Sequence, residues 1–372
     1  MTLRRLGLAL VTLLVFGGLA AYFAARSPSV VAFMVKRQVK GRLAVPLDKT
    51  DLFDVNALHV VLCGTSSPVP DPNRAKACTA VIAGGHAYIV DTGPESWKTM
   101  ALMGFPGERI AAILLTHFHS DHIGDLGEFR LQTWVAGRKQ LLPVYGGEGV
   151  ERVTNGANEM YALDDKYRNA HHGPTIAPLE GAPLTPHTIN VGMSLGRDQA
   201  EVILEADGLK ITAFDVNHDP IRPAVGYRFD YKGRSVVITG DTIKWPNVVK
   251  NAMGADVLVH EAQSQRMRKI IAGVARETGA KTLAKIFDDI ESYHSSPVDG
   301  AEVANAAHVK LLVYTHFTPP LASRFLNPLF FEGVDSIRPE SAWVAGFDGL
   351  RLDLPEGSTA VIQGRLSVGS FR

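Results

Sequence analysis

Cysteine is scarce in this chain and its charges balance. Cys63 and Cys78 are the only cysteines among 372 residues, so the fold does not rest on a disulfide framework. The two side chains could pair if the fold brings them together, but we expect two small, separate thiols buried on strands. The 38 Lys and Arg residues equal the 38 Asp and Glu residues. A globally basic, polyanion-binding protein is therefore excluded, and any basic groove has to be local.

Repeats and low-complexity segments are also absent from residue 59 onward. Short apolar runs that stop at glycine, such as "LHVVLCG" and "AYIVDTG", predict strands. The stretches 202–216 and 225–240 predict β-hairpins. Helical periodicity predicts helices over 148–170, 263–277, 281–292 and 297–308. Residues 173–199 are rich in Pro and Gly and predict a long loop at a binding edge. Strands interleaved with helices predict an α/β fold, with sheets packed together and helices outside.

A long hydrophobic run is confined to the N-terminus. Residues 6–25 carry no charge and follow Arg4 and Arg5, which is long enough to cross a bilayer. A cleaved signal peptide is the alternative, but the weak site at 18–20 favours an uncleaved anchor within 1–26. A basic linker over 27–57 follows, and 28–45 either lies along anionic lipid headgroups or forms a plain helix. Basic residues after the run argue against export and the short basic N-terminus argues for it. We predict a membrane-anchored, extracytoplasmic domain.

One stretch ends an apolar strand with a crowd of metal-ligand side chains. "LLTHFHSDHIGD" places His117, His119, Asp121 and His122 within six residues, and each is costly to bury without compensation. At least five predicted strands end in a residue that can bind metal, namely His117, His218, Asp241, Glu261 and His316. Strand ends on one edge of a sheet converge, so these side chains predict a shared metal site.

The order of these residues resembles the metallo-β-lactamase fold superfamily. The chain has H-x-H-x-D-H at 117–122, then a lone His218, "TGDT" with Asp241 and "THF" with His316. The resemblance covers residues 58–320. The resemblance implies an αββα sandwich of two mixed β-sheets with helices outside, over 58–355, followed by a tail over 356–372. It also implies two Zn²⁺ ions per chain, one held by His117, His119 and His218, the other by Asp121, His122 and His316, with Asp241 as the bridge. The diiron branch typically has Glu at the position of His119, so His there favours zinc.

Further segments indicate which branch of the superfamily the chain resembles. "VLVHEAQS" (257–264) resembles the H-E-A-T loop of ribonuclease Z, and residues 293–317 resemble its H-S-T loop, helix and final ligand. The same elements occur in the related zinc arylsulfatases and phosphodiesterases. The chain departs from the nuclease at "THFTPP" and "DPNRAKACTA", and 150–200 shows no counterpart of the basic arm that grips tRNA. We therefore predict a binuclear zinc hydrolase that cleaves phosphate or sulfate esters of a small molecule, and we expect no nucleic-acid substrate.

Three alternatives remain open on the sequence. They are a ribonuclease Z-type tRNA 3′-processing endonuclease, a lactonase or thioesterase, and a non-catalytic metal-binding anchored module. The last ranks lowest because all seven ligand positions are present. The resemblance also leaves a homodimer open.

The resemblance implies a mechanism in which the metals lower the pKa of a shared water, and the hydroxide attacks phosphorus, sulfur or a carbonyl. His294 is the predicted proton donor to the leaving group, oriented by Glu261, as the two family loops imply. Asp121 is placed to orient the water as well as to bind metal. His260 is expected to be a buried supporting residue. For His171 and His172, a pocket-facing role and a solvated helix end both stay open.

Overall fold

The N-terminal part of the chain forms a unit of its own. The computed structural model describes residues 12, 14–19, 21–23, 25–44, 51–192 and 199–368, and contacts within the chain divide it into residues 1–50 and 51–372. In the first unit, Pro28–Ala44 forms helix α1. Among the described residues no single helix is long and apolar enough to cross a membrane, and Leu14–Phe23 and Pro28–Gly41 meet those requirements only as a pair bent by 69°. Much of the anchor predicted within 1–26 lies outside the described residues, so the anchor stays a prediction.

The second unit is built on two mixed β-sheets. Its described strands are β1 (Ala57–Gly64), β2 (Cys78–Ala83), β3 (His86–Val90), β4 (Ile110–Leu114), β5 (Leu142–Gly146), β6 (Leu184–Thr188), β7 (Ala200–Ala206), β8 (Leu209–Asp215), β9 (Val225–Tyr231), β10 (Arg234–Ile238), β11 (Val257–Gln263), β12 (Leu311–Thr318), β13 (Trp343–Ala345), β14 (Leu350–Pro355) and β15 (Ile362–Arg365). The first sheet has the order β15-β14-β1-β2-β3-β4-β5-β6, and the second has the order β13-β12-β11-β10-β9-β8-β7.

Helices connect these strands. The described α-helices of the second unit are α2 (Ser96–Met103), α3 (Ser120–Ile123), α4 (Leu126–Val135), α5 (Val150–His172), α6 (Pro246–Ala252), α7 (Gln265–Glu277), α8 (Lys281–Asp289), α9 (Pro297–Ala306), α10 (Asn327–Phe330) and α11 (Val334–Ile337). The four helices predicted from periodicity correspond to α5, α7, α8 and α9, and the two predicted hairpins correspond to β7–β8 and β9–β10. The periodicity of apolar residues therefore predicted the positions of these four helices and two hairpins to within a few residues.

The hydrophobic core lies between the two sheets. Leu58 and Val60 of β1 pack in one cluster with Phe229 of β9 and Val259 of β11. A second cluster joins the outer face of the second sheet to helices, for example Val237 of β10 with residues of α9 and α10. Because β1, β2, β10 and β11 are covered on both faces, every residue in them is buried. The predicted αββα sandwich is confirmed.

Two strands appear where the sequence predicts a loop and a tail. Residues 184–188 within the predicted loop form β6, which pairs in parallel with β5. Residues 362–365 within the predicted tail form β15, which pairs with β14 at the edge of the sheet. Neither "LTPHT" nor "IQGR" alternates apolar and polar residues cleanly. Their strand conformation depends on the neighbour with which they pair, which local propensity does not report.

Cys63 and Cys78 form a disulfide, so the expectation of two separate thiols is wrong. Cys63 lies near the end of β1 and Cys78 begins β2, and these strands are antiparallel neighbours with Gly64 opposite Cys78. Two cysteines 15 residues apart carry no pairing signal in the sequence. The register of the two strands brings them together and closes the intervening loop.

Replacing both cysteines with alanine should lower the free energy of unfolding by about 3 kcal/mol, because the disulfide restricts a 15-residue loop in the unfolded chain. Guanidinium chloride unfolding without reductant measures the difference. Reduced wild-type protein is the control and should shift by a similar amount. Thiol titration of denatured, unreduced protein should find no free thiol, and two thiols per chain would contradict the pairing.

Candidate metal centre

The predicted ligands come from strand ends on both sheets. His117, His218 and Asp241 each lie three residues beyond the end of a strand, after β4, β8 and β10 respectively, and His316 lies within β12. Asp121 and His122 belong to the short helix α3, which follows β4. Ligands that are far apart in sequence therefore meet at one edge of the sandwich, as converging strand ends predict.

The first group of possible ligands surrounds Asp241. Ligand atoms of His117, His119, His218 and Asp241 lie within 4.8 Å of one another. Nε2 of His117 is 3.9 Å, and Nε2 of His218 is 3.8 Å, from Oδ2 of Asp241. His119 is partly exposed, whereas the other three are buried. The predicted first metal site therefore exists as a cluster, open to solvent on the side of His119.

The second group lies on the other side of Asp241. Nε2 of His316 is 3.1 Å from Oδ2 of Asp121 and 3.3 Å from Nε2 of His122. The same Oδ2 of Asp241 that faces the first group is 3.4 Å from Nε2 of His122 and 3.5 Å from Nε2 of His316. Asp241 thus reaches both groups with one oxygen, which is the position that a bridging ligand requires.

Unsatisfied atoms in the cluster fit a cation. Nε2 of His117, Nε2 of His218 and Oδ1 of Asp241 are buried and have no hydrogen-bond partner among the described residues. Each such atom costs about 1–3 kcal/mol when left unpaired. A metal ion accepts lone pairs from neutral imidazoles and carboxylates alike, and a set dominated by imidazoles suits zinc. The residues present therefore fit zinc at both groups.

Electrostatics keep most of these side chains in the form that binds metal. Burial lowers the pKa of His117 well below its usual value and the pKa of His218 to about 3, so both imidazoles are neutral. Burial alone would raise the pKa of Asp121, but the neighbouring His122 and His316 lower it to about 2. Neutral imidazoles and an ionised carboxylate are the ligand forms that coordination requires.

His122 is the exception. Burial alone would lower its pKa, but the carboxylates of Asp241 and Asp91 raise it well above the usual value. A cation bound at this side chain would therefore displace a proton. Metal uptake at the second group is expected to depend on pH for this reason.

Asp91 supports the site and was missed by sequence reasoning. It accepts hydrogen bonds from Nδ1 of His122 (2.8 Å) and from the backbone N–H and hydroxyl of Thr116 (both 2.8 Å). The contact fixes the orientation of the His122 ring. Asp91 adopts a left-handed backbone, with φ of 61°, which persists only where the surroundings enforce it. The sequence contains a signal for this residue, because Asp91 follows an apolar strand at least as closely as Asp241 does.

Glu261 and His294 are brought together as predicted. Nδ1 of His294 lies 2.9 Å from both carboxylate oxygens of Glu261, and the backbone N–H of Thr242 donates to the same carboxylate. Burial alone would lower the pKa of His294, but Glu261 raises it. His294 also forms a possible ligand group with Asp241 and His316. A proton-donor role and a ligand role are therefore both compatible with its position.

The remaining histidines that the sequence singled out are not members of the ligand groups in the described part of the chain. His260 is fully buried, and its Nδ1 donates to the backbone oxygen of Glu261, so it supports the strand that carries Glu261. His171 and His172 end α5 and are exposed. The solvated helix end is the arrangement that the structure shows for this pair.

A sandwich of two mixed sheets that gathers histidines and aspartates at one edge defines a metallo-β-lactamase fold. Solved structures share it. The short form of human tRNase Z superposes with a TM-score of 0.56 at 18% identity, covering 80% of this chain and 99% of that chain. A metallo-β-lactamase fold protein of Bacillus subtilis gives 0.56 at 17% identity, again with 80% and 99% coverage. At these identities the likeness concerns the fold.

Sequence comparison identifies the family. Residues 86–317 match the family described as "Beta-lactamase superfamily domain", and the chain therefore belongs to the metallo-β-lactamase superfamily. Ribonuclease Z of Mycobacterium sp. strain KMS is 35% identical over 267 residues, which are 71% of this chain and 86% of the relative. Ribonuclease Z of Mycobacterium bovis strain BCG Pasteur 1173P2 is also 35% identical over 267 residues, 71% and 87% of the two chains.

These relatives correct one prediction. We expected a small-molecule ester substrate and no nucleic acid, whereas the relatives that match most of this chain are named as ribonucleases. That expectation is wrong, and the comparisons do not support an arylsulfatase-like activity. It rested on balanced charge, on the missing basic arm over 150–200, on the departures at "THFTPP" and "DPNRAKACTA", and on the predicted membrane anchor. None of these features excludes RNA, because phosphate recognition requires only locally concentrated positive charge.

Proposed function

We propose that this protein is a metal-dependent endonuclease of the ribonuclease Z type that cleaves the 3′ region of precursor tRNA. The observation that carries the proposal is the Glu261–His294 pair beside the two ligand groups, with Nδ1 of His294 4.0 Å from Oδ2 of Asp241. The chain that holds this pair is 35% identical to a ribonuclease Z over 267 residues. Hydrolysis of a phosphodiester needs both an activated water and a proton for the departing oxygen. The two parts of the site are suited to these two tasks.

Two zinc ions are proposed as the cofactor. His117, His119 and His218 would hold one, Asp121, His122 and His316 the other, and Asp241 would be shared. When bound, zinc ions activate water near neutral pH and neutralise negative charge that develops on a phosphate. The buried atoms of His117, His218 and Asp241 that lack partners among the described residues support this assignment.

One proposed ligand, Asp121, and the neighbouring pair of Glu261 and His294 complete the reaction. Asp121 is ionised, since its pKa is lowered to about 2, and its carboxylate is able to orient the attacking water. Hydrolysis places the hydroxyl of that water on phosphorus and breaks the bond to one ribose oxygen. His294 gives its proton to this departing oxygen, while Glu261 orients the ring and stabilises its charged form.

Cleavage of a precursor tRNA tests the proposal. The full-length protein supplied with zinc should shorten a precursor that carries a 3′ trailer, because the ligand cluster and the proton donor serve phosphodiester hydrolysis. Denaturing gels of end-labelled RNA measure the product, and a mature tRNA without a trailer serves as the matched substrate control. Turnover of p-nitrophenyl sulfate or a lactone, with the precursor left intact, would overturn the proposal.

A further inference from the structure

We propose that a groove next to the metal centre binds the phosphate backbone of single-stranded RNA. The arginine groove is defined by five residues that line two adjoining cavities in common: Arg74, Leu321, Arg324, Phe347 and Arg365. This inference rests on the proposed function, for which it identifies where the RNA chain lies. It supplies the local positive charge that a net charge of zero does not reveal.

The shape and charge of the groove suit a polyanion. Its two cavities have volumes of about 470 and about 400 Å³, within the range of ligand sites of roughly 300–1,000 Å³. Three of the five shared residues are arginines and none is acidic. Glu340 lines one cavity alone, and Glu95 and Asp348 line the other alone, so the carboxylates lie outside the part common to both.

Arg74 connects the groove to the metal centre. Its Nη1 donates to Oγ1 of Thr65 (2.7 Å) and to the backbone oxygen of Gly346 (2.8 Å). Its guanidinium carbon lies 4.8 Å from the ring centroid of Phe317, and Phe317 directly follows the candidate ligand His316. The groove therefore borders β12, the strand that carries this candidate ligand.

Arg324 and Arg365 are available for a ligand. Both are exposed, and neither forms an ion pair with a carboxylate in the described part of the chain. The guanidinium carbon of Arg365 lies 5.1 Å from the ring centroid of Phe347. Unpaired guanidinium groups bind phosphate with two parallel hydrogen bonds. By contrast, the carboxylate of Asp348 accepts hydrogen bonds from the hydroxyl of Thr65 and from the backbone N–H of Ala75.

Single-stranded RNA fits this combination better than other phosphate-bearing ligands. Proteins that bind single strands combine a positive groove with aromatic side chains on which bases stack. Phe347 lies within the groove, and Phe325, next to Arg324, is 88% exposed. A free phosphate or a phosphorylated peptide would use the arginines but has no base to stack on these rings.

The two free arginines come from segments that lie beyond the family match. That match ends at residue 317, whereas Arg324 begins a short 3₁₀ helix and Arg365 ends β15. The segment after the last candidate ligand is also where the sequence departs from the ribonuclease Z pattern, at "THFTPP". All three arginines of the groove therefore lie outside the residues that match the family description.

Binding of a labelled ten-nucleotide single-stranded RNA to the full-length, chelator-treated protein tests the groove, because without metal the RNA is not cut. Fluorescence anisotropy over a range of salt measures affinity. Arg324→Ala/Arg365→Ala should weaken binding about 10- to 30-fold at 0.1 M salt and reduce the salt slope by about 1.4, since each lost single-strand phosphate contact contributes about 0.7. Arg266→Ala/Arg276→Ala, which removes the same charge from exposed positions on α7, is the matched control and should bind like wild type.

The outcomes separate the groove from the proposed function. If precursor tRNA is cut but both double variants bind RNA alike, the groove is overturned and the function stands. If no precursor is cut but RNA binding depends on Arg324 and Arg365, the groove stands and the function fails. If no precursor is cut and RNA binding does not depend on Arg324 and Arg365, both the groove and the proposed function are overturned. A phosphorylated peptide that binds more tightly than the RNA and depends on the same arginines would also overturn the assignment to RNA.

Discussion

Replacing Asp241 with alanine should reduce turnover to background and lower the zinc content from two ions per chain to one or none. Oδ2 of Asp241 lies 3.4–3.9 Å from imidazole nitrogens of both ligand groups. Its removal takes a ligand from each proposed ion. It also removes the one carboxylate among the described residues that lies within 4 Å of imidazoles in both ligand groups. Metal analysis after dialysis and turnover of bis-p-nitrophenyl phosphate measure the two effects.

Asp91→Asn provides the graded comparison for this result. Asp91 contacts His122 from the side away from the ligand cluster, so its loss should lower zinc affinity about 10- to 100-fold and leave activity at saturating zinc. His119→Ala, which removes a terminal ligand, should abolish turnover as Asp241→Ala does. An Asp241→Ala protein that keeps two zinc ions and near-full activity would show that the ligand assignment is wrong.

The disulfide and the proposed substrate point to different cellular compartments for this protein. Disulfides persist in oxidising compartments, whereas precursor tRNA is made in the cytoplasm. The basic residues that follow the N-terminal run argue for a cytoplasmic domain and the short basic N-terminus argues against it, so the extracytoplasmic location stays a prediction. The proposed function is therefore compatible with the Cys63–Cys78 disulfide only if the two thiols are reduced in the cell or the substrate RNA reaches the other side of the membrane.

The sequence predicts the fold and the residues gathered at the site because both depend on local pattern. A strand that ends in His117 or Asp241 can be recognised from its apolar run, and the order of such residues resembles one superfamily. Pairing across the structure carries no such signal. The contact of Cys63 with Cys78 depends on strand register, and β15 forms only because β14 is beside it. The substrate prediction, which the relatives overturn, rested in part on net charge and on single segments, and neither reports where charged residues distant in sequence meet in the fold.

His294→Ala should keep both zinc ions and lose about 10²–10⁴-fold in rate on precursor tRNA. The departing ribose oxygen is a poor leaving group that needs a proton, and His294 is the side chain held for that task. Its Nδ1 is engaged by Glu261 at 2.9 Å, which leaves Nε2 for the leaving group. On bis-p-nitrophenyl phosphate the loss should be much smaller, because a nitrophenolate departs without protonation. Single-turnover rates on both substrates, with metal analysis of the same samples, measure the contrast.

Glu261→Gln is the companion variant for this prediction. The carboxylate acts through His294, so the variant should show the same dependence on leaving group but a smaller loss. His294 also lies with Asp241 and His316 in a possible ligand group, and this gives a second outcome to examine. If His294→Ala loses zinc, the residue is a ligand. If it keeps zinc and slows both substrates equally, the proton comes from another group, and the Glu261–His294 pair then serves to hold the β11 edge of the site in place.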